Sequence, residues 1–225
     1  MDEKYFNSSI SKSAKMYRNI RCVNSMVEHE CVIADDCDID NAVLSSNVEI
    51  GRRNILRNTA IGKGTYTATN TVIKNCSIGN YCSIASNVYI GGDNHNYNNT
   101  CMYTNYWFKR TFGVDTGAKD VVHPTIIGND VWIGIGVCVF AGLKIGDGCV
   151  IGAGCVVNRD LPAYSIAVGV PCRIIKYRFS PVIIKLLLEL KWWSWSEDEI
   201  KNNIGFLTHE PTEDEIIKLL ERKRV

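Results

Sequence analysis

The chain has 225 residues, of which 46% are hydrophobic, enough for one large domain with a substantial core. The formal net charge is +1, from 25 basic and 24 acidic side chains, so the charge balance indicates neither nucleic acid nor an anionic membrane as a partner. The N-terminal stretch MDEKYFNSSISKSAK lacks the apolar core of a signal peptide, and the longest apolar run, PVIIKLLLELKWW, is too short to span a bilayer. We therefore expect a cytoplasmic protein without membrane insertion.

A repeat of 17 residues runs through the first part of the chain. Three columns of residues recur at this spacing, starting from Ile10, Met16 and Cys22, and each has five members. Fourteen of these fifteen positions are apolar, and Thr67 is the exception. The steps inside one repeat are six, six and five residues, which is typical of a coil made of three short strands and three corners.

A strict six-residue period follows later, with apolar residues at Ile127, Ile133, Val139, Ile145, Ile151 and Val157. The apolar residues would point inward and stack about 4.8 Å apart, while glycine and asparagine tolerate the positive φ that tight corners need. The pattern predicts a mainly β fold, a parallel β-helix of about seven coils over residues 1–178 with one extruded loop at 92–124. The hand of the coil does not follow from this pattern.

Residues 179–225 are predicted to form a short C-terminal α-helical extension. Ser180 before Pro181 is a typical helix start, and the helix that follows, to about residue 193, is apolar nearly all round. We expect it to be buried against the solenoid or a neighbouring subunit. Capping boxes at 196–199 and 212–215 predict two further helices. We interpret the tryptophans of the run WWSW as packing residues rather than as sugar-stacking residues.

Ten cysteines occur, without any CxxC motif. We interpret them as small packing residues of a reduced protein rather than as a disulfide framework. No metal site is expected, because His95 with the nearby Asp93 supplies only two of the ligands that a closed site needs.

The stretch GGDNHNYNNTCMY opens the interruption of the repeat. His95 falls 17 residues after Ile78, so the first apolar column is expected to end in an imidazole turned towards a cleft. The alternative is a structural histidine satisfied by the neighbouring asparagines. The later segment TCMYTNYWFKRTFGV is aromatic and basic, which suits a loop that covers a site. His29, His123 and His209 are weaker candidates, for which a surface or core role is favoured over function.

Two stretches carry a resemblance to a known family. IIGNDVWIGIGVCVFAGLKIGDGCVIGAGCVVNRDLPAYSIAVGVPCRII resembles the signature half of the hexapeptide-repeat acyltransferases, and RFSPVIIKLLLELKWWSW resembles the C-terminal helix of their xenobiotic acetyltransferase branch. The resemblance covers about residues 72–205 and implies a left-handed β-helix, acetyl-CoA as the acetyl donor, and a homotrimer with active sites at the subunit interfaces. GGDNH matches the segment that supplies the catalytic histidine in relatives, which implies that His95 is the general base.

The resemblance also implies further site residues. Asn94 and Trp132 would border the histidine. The pantetheine arm would lie along Gly134, Ile135, Ala141, Gly142 and Ala153, the adenine end near Asn158 and Arg159, and the phosphates near Arg173 and Lys176. The alternative is that these glycines only build corners and that the cations are solvated.

The function that these features predict is transfer of an acetyl group from acetyl-CoA to a hydroxyl of a sugar, in a surface polysaccharide or its precursor. The solenoid before SIGNYCSIA is longer than expected for antibiotic-modifying relatives, which favours a sugar. The alternatives are O-acetylation of chloramphenicol or a streptogramin, N-acetylation of a nucleotide-linked amino sugar, and a non-catalytic β-helix scaffold.

Overall fold

A computed structural model of the chain describes residues 5–92, 95–118 and 123–222. The strands in these ranges are β1 (Ser9–Ile10), β2 (Lys15–Met16), β3 (Arg21–Val23), β4 (Met26–Val27), β5 (Val32–Ile33), β6 (Asp38–Leu44), β7 (Glu49–Ile50), β8 (Ile55–Ile61), β9 (Tyr66–Thr67), β10 (Val72–Ile78), β11 (Ser83–Ile84), β12 (Tyr89–Gly91), β13 (Thr125–Ile127), β14 (Trp132–Ile133), β15 (Cys138–Val139), β16 (Lys144–Ile145), β17 (Val150–Ile151), β18 (Val156–Val157), β19 (Ser165–Val168) and β20 (Arg173–Tyr177). The helices are α1 (Asn105–Phe112), α2 (Pro181–Leu190), α3 (Glu197–Asn202), α4 (Ile204–Leu207) and α5 (Glu213–Arg222).

The strands stack coil upon coil in a parallel solenoid. One sheet has nine strands in the order β2-β5-β7-β9-β11-β14-β17-β19-β20, of which the last is antiparallel to β19 and the other eight are parallel. The second sheet has 11 strands and bends around a corner, because β6, β8 and β10 each continue for seven residues across two faces. The predicted parallel β-helix is confirmed, and its eight parallel levels slightly exceed the seven coils expected.

The apolar columns form the core of the solenoid. Ile33 pairs in register with Ile50, and both are fully buried. Ile39 and Leu56 are likewise fully buried and stand opposite each other in β6 and β8. A single coil cannot bury its own inward side chains. These residues are buried because neighbouring coils stack in register above and below them.

One corner of the solenoid carries a run of asparagines with positive φ, which we call the asparagine edge: Asn7, Asn24, Asn41, Asn58 and Asn75. Asparagine tolerates the left-handed conformation better than most residues, so it suits a tight corner. The amides bond from coil to coil, and Asn41 Nδ2 donates to Asn58 Oδ1 at 2.7 Å. Gly92 follows 17 residues after Asn75 with φ 105°, and the long loop leaves the solenoid at this edge.

The columns continue across the loop without a shift in register. Ile78 pairs with Ile127, and the other two columns pass directly from β11 to β14 and from β12 to β15. The expectation that His95 ends the first column is wrong: Ile127 occupies that position, and His95 is exposed. The reason is that the chain leaves the solenoid before it reaches this column, so the 17-residue spacing no longer applies.

The C-terminal helices begin where the capping signals predict. The hydroxyl of Ser180 accepts a hydrogen bond from the N–H of Ile183, and a full capping box opens α3. Two details differ from expectation. Helix α2 ends at Leu190 rather than near residue 193, and its first turn is partly open, with Val182 51% exposed. Helix α4 was not predicted.

The helical segment packs against another corner of the same solenoid. Trp193 and Trp195 are buried, which confirms their packing role. Tyr81 and Trp192 place their ring centroids 5.2 Å apart, and Arg178 pairs with Asp130 at 2.9 Å. Within the described residues no helix is long and apolar enough to cross a membrane.

The cysteines are free thiols, and most lie inside the solenoid. The thiol of Cys31 donates to the carbonyl oxygen of Ser45 in the next coil, at 3.0 Å. Burial raises the pKa of Cys82 to about 12, so this thiol stays protonated. Cys101, in the loop, is exposed. The interpretation of the cysteines as small packing residues is confirmed for the buried ones.

Candidate active site

The long loop contains a small amphipathic element. Gly113 caps the C-terminus of helix α1, and its φ of 69° lets its N–H reach back to the carbonyls of Phe108 and Lys109. None of the residues of α1 is buried, and the side chains of Trp107 and Phe112 are 44% and 64% exposed. Tyr103 packs edge-on against Phe108 with a centroid distance of 5.2 Å. The loop therefore folds upon itself while leaving an aromatic surface open.

A cavity of about 770 Å³ lies within the loop. His95 lines it at one end of the loop and His123 at the other, and Phe108 contributes an aromatic wall. The polar lining consists largely of side-chain amides, those of Asn96, Asn98, Asn99 and Asn105. Among the described residues that line this cavity there is no aspartate, glutamate, lysine or arginine. The cavity is thus rich in hydrogen-bonding groups that carry no charge.

The ring of His95 makes a hydrogen bond within the described part of the loop. Its Nδ1 lies 2.8 Å from the backbone carbonyl oxygen of Met102, seven residues further along the same loop. A carbonyl oxygen can only accept, so Nδ1 carries the proton in this contact. In the neutral ring Nε2 then bears a lone pair, which a general base requires. Asn94, the expected neighbour of His95, lies outside the described residues.

Trp132 does not line the cavity of its own chain. It is the first residue of β14, pairs with Ser83 and Val150 in the adjacent coils, and is 57% exposed on the outer face of the solenoid. That Trp132 borders His95, which the resemblance implies, stays a prediction.

His123, a weaker candidate in the sequence, lines the cavity. It also contacts the solenoid, because a Cβ added at Gly142 would lie 2.8 Å from the Cβ of His123. Gly142 has φ 81°, so both its conformation and its surroundings require glycine. The sequence does contain a signal: His123 and Pro124 stand immediately before the point where the repeat resumes in β13.

The residues expected to line the pantetheine arm fall at two places on the later coils. Ile135 accepts a hydrogen bond from the N–H of Gly154 at 2.8 Å, which brings it next to Ala153 on the following coil. A Cβ added at Gly134 would lie 2.7 Å from the nitrogen of Ala153, so these coils pack with no room for a side chain.

The second place is the corner at Ala141 and Gly142. It lies one coil from Asn158 and Arg159, since the N–H of Phe140 donates to Val157 at 3.0 Å. Arg173 follows Cys172, whose N–H donates to Val156 at 2.9 Å, so it lies beside the same strand. Lys176 lies further along β20, opposite Ile166.

Comparison with known proteins identifies the family. Residues 7–105 match the model of the GlmU-like C-terminal hexapeptide, and residues 124–159 match the bacterial transferase hexapeptide (six repeats). The chain is 37% identical over 152 residues to a probable macrolide acetyltransferase of Lysinibacillus sphaericus, a match that covers 62% of this chain and 81% of that protein. It is 40% identical over 129 residues to a chloramphenicol acetyltransferase of Klebsiella aerogenes, covering 55% of this chain and 61% of that protein.

Among solved structures, a galactoside acetyltransferase in complex with coenzyme A matches with a TM-score of 0.41 and 26% identity, covering 79% of this chain and 69% of that one. The repeat, the parallel solenoid and the sequence relatives agree on one assignment. The chain belongs to the hexapeptide-repeat acetyltransferases and is an acetyltransferase.

Proposed function

We propose that this protein transfers an acetyl group from acetyl-CoA to a hydroxyl of a sugar acceptor, in a surface polysaccharide or its precursor, with His95 as the general base. The observation that carries the proposal is the hydrogen bond from Nδ1 of His95 to the Met102 carbonyl, which leaves Nε2 without a partner among the described residues at the wall of the cavity. An exposed ring held in one tautomer is suited to proton transfer, whereas a structural histidine would use both nitrogens for bonding.

His95 performs two proton transfers in this proposal. Nε2 removes the proton of the acceptor hydroxyl, which is otherwise a poor nucleophile, and later returns it to the departing thiolate. The bound donor supplies a thioester, whose carbonyl carbon is the electrophile. The Met102 carbonyl keeps the ring oriented and stabilises the imidazolium that exists between the two transfers.

The later coils fit the donor by the chemistry of their surface. Arg159, Arg173 and Lys176 are exposed, and none of them forms an ion pair with an acidic side chain among the described residues. Cations without an acidic partner suit the phosphates of coenzyme A. At Gly134 and Ala153 the coils pack closely and carry no large side chain, so the pantetheine arm can approach the backbone. We propose that Ile135, Ala141, Gly142 and Asn158 belong to the same surface.

The cavity favours a sugar over a nucleotide-linked acceptor. Amides from several asparagines and the ring of Phe108 provide hydrogen bonds and a stacking surface, as polyhydroxylated rings need. A diphosphate would require cations, which the described lining lacks. The names of the relatives support a second candidate, O-acetylation of a drug hydroxyl, which the same histidine chemistry would perform.

We further propose that the active protein is a homotrimer with its active sites at the subunit boundaries. Helix α1 buries no residue within its own chain, and Trp132 stands exposed on the outer face of the solenoid. A neighbouring subunit would cover both features, and could bring Trp132 to the His95 of another chain. The free cysteines fit a reduced, cytoplasmic site of action.

The test is release of free thiol from acetyl-CoA in the presence of uncharged oligosaccharides, nucleotide-linked amino sugars and chloramphenicol. We expect turnover with an uncharged sugar, and a loss of about 10²–10⁴-fold in the His95→Ala variant. His29→Ala is a matched control, because His29 is exposed at a distant corner of the solenoid. Full activity of His95→Ala would overturn the general base, and turnover with chloramphenicol alone would overturn the sugar acceptor.

A further inference from the structure

His123 connects the cavity with the solenoid surface proposed for the acetyl donor. It stands two residues before β13, where the chain re-enters the solenoid, and its side chain is exposed at the cavity wall. Its Cβ lies beside Gly142, since a Cβ added at Gly142 would be 2.8 Å from it, and Gly142 is at the corner that we assign to the donor. The imidazole of His123 therefore lies at the junction between the space for the acceptor, lined by His95, and the surface for the thioester.

This junction is where acyl transfer needs a hydrogen-bond donor. The carbonyl oxygen of a thioester becomes negatively charged as the acceptor attacks, and a donor aimed at it stabilises that charge. The backbone N–H of Gly142 is already used, because it donates to the hydroxyl of Thr125 at 3.1 Å. His95 uses Nδ1 for the Met102 carbonyl and Nε2 as the base. The side-chain donor that the described wall offers beside Gly142 is the imidazole N–H of His123.

We propose that His123 is a second catalytic residue, which donates a hydrogen bond to the thioester carbonyl oxygen during transfer. This inference rests on the proposed function. The acceptor oxygen forms a bond to the acetyl carbon while its proton passes to Nε2 of His95, and His123 stabilises the negative oxygen. The carbon–oxygen double bond then re-forms, the carbon–sulfur bond breaks, and His95 returns the proton to the thiolate.

The experiment compares His123→Ala with His123→Gln in the full-length protein. His123→Ala should lower kcat by about 10²–10³-fold, the usual effect of removing one such donor. His123→Gln should recover part of this loss, because its amide still carries an N–H. The dissociation constant of coenzyme A, measured by calorimetry, should stay unchanged, since free coenzyme A has no acetyl carbonyl. The melting temperature should also stay unchanged, because the side chain is exposed.

The matched control is His29→Ala, another exposed histidine, which should behave like the unaltered protein. Wild-type kcat in His123→Ala, measured beside an inactive His95→Ala, would overturn this inference and leave the proposed function standing. Equal loss in His123→Ala and His123→Gln would overturn the donor role, as would a loss explained by weaker binding of coenzyme A. An active His95→Ala would instead overturn the proposed general base, so the two failures are distinguishable.

Discussion

Asn54 is a fully buried polar residue in the core of the solenoid, and it accounts for the polar exception in the apolar columns. Its Nδ2 lies 2.7 Å from the carbonyl oxygen of Gly51 and 3.2 Å from the hydroxyl of Thr67, while its Oδ1 accepts from the N–H of Thr71 at 2.7 Å. Thr67 breaks the column because its hydroxyl is a partner for this amide. The sequence revealed the exception but not its cause, since the two side chains meet only when the coils stack.

Replacing Asn54 by alanine should lower the free energy of unfolding by about 1–3 kcal/mol, because the buried N–H of Thr71 would lose its acceptor and the hydroxyl of Thr67 would lose one of its two partners. Urea denaturation followed by circular dichroism measures this change. Asn99→Ala is the control: its side chain is exposed in the loop, so its effect should stay within about 0.5 kcal/mol. Equal effects of the two substitutions would contradict the structural importance of the buried amide.

At the scale of elements, the end of β12 determines where the loop begins. Gly91, the last residue of β12, has φ 78°, and a Cβ added there would lie 2.0 Å from the carbonyl oxygen of Lys74 in the preceding coil. At Gly92, an added Cβ would lie 2.6 Å from the hydroxyl oxygen of Tyr89. Two consecutive glycines, four and three residues before His95, thus let the chain turn out of the solenoid tightly against the preceding coil.

A methyl group at Gly91 should displace the start of the loop and with it His95. We expect Gly91→Ala to reduce kcat/KM by about 10²-fold, since a misplacement near 1 Å can cost that much in catalysis. Gly117→Ala is the matched control in the same loop: Gly117 also has a positive φ of 69°, but no atom of the described residues lies within 4 Å of its added Cβ. Equal values of kcat/KM in Gly91→Ala and Gly117→Ala would contradict a role of the turn at Gly91 in positioning His95.

The helices also show what local sequence can predict. Their starts follow from hydrogen bonds between neighbours in sequence, and the capping residues of α2 and α3 were read correctly. The end of α2 was not predicted correctly. The chain adopts a left-handed conformation at Lys191, φ 46°, where no glycine indicates a helix end. Trp193 and Trp195 are buried beyond this break, and their packing against the solenoid corner settles where the helix stops.

At the scale of the whole molecule, the protein exposes features that its own chain does not cover. Light scattering at assay concentrations should give about three times the 25.2 kDa of one chain, because α1 and the outer face at Trp132 would be covered by neighbouring subunits. If the proposed trimer forms, Trp107→Ala should shift the equilibrium towards monomer, whereas Tyr17→Ala, which changes an exposed aromatic near the N-terminus, should not. A monomer with full activity would contradict sites shared between subunits.

The sequence by itself determined the solenoid, its three apolar columns, its corner residues and the caps of its helices. Each of these depends on residues at fixed short spacings, so a single coil repeated along the chain carries the whole pattern. Only the tertiary structure showed how the chain leaves the solenoid after Gly92 and re-enters it at Thr125. There the period ends, Ile127 rather than His95 continues the column, and His123 meets Gly142. The pairing of Ile78 with Ile127 spans the loop, and His123 meets Gly142 from the loop's end, so no fixed spacing in the sequence predicts either contact.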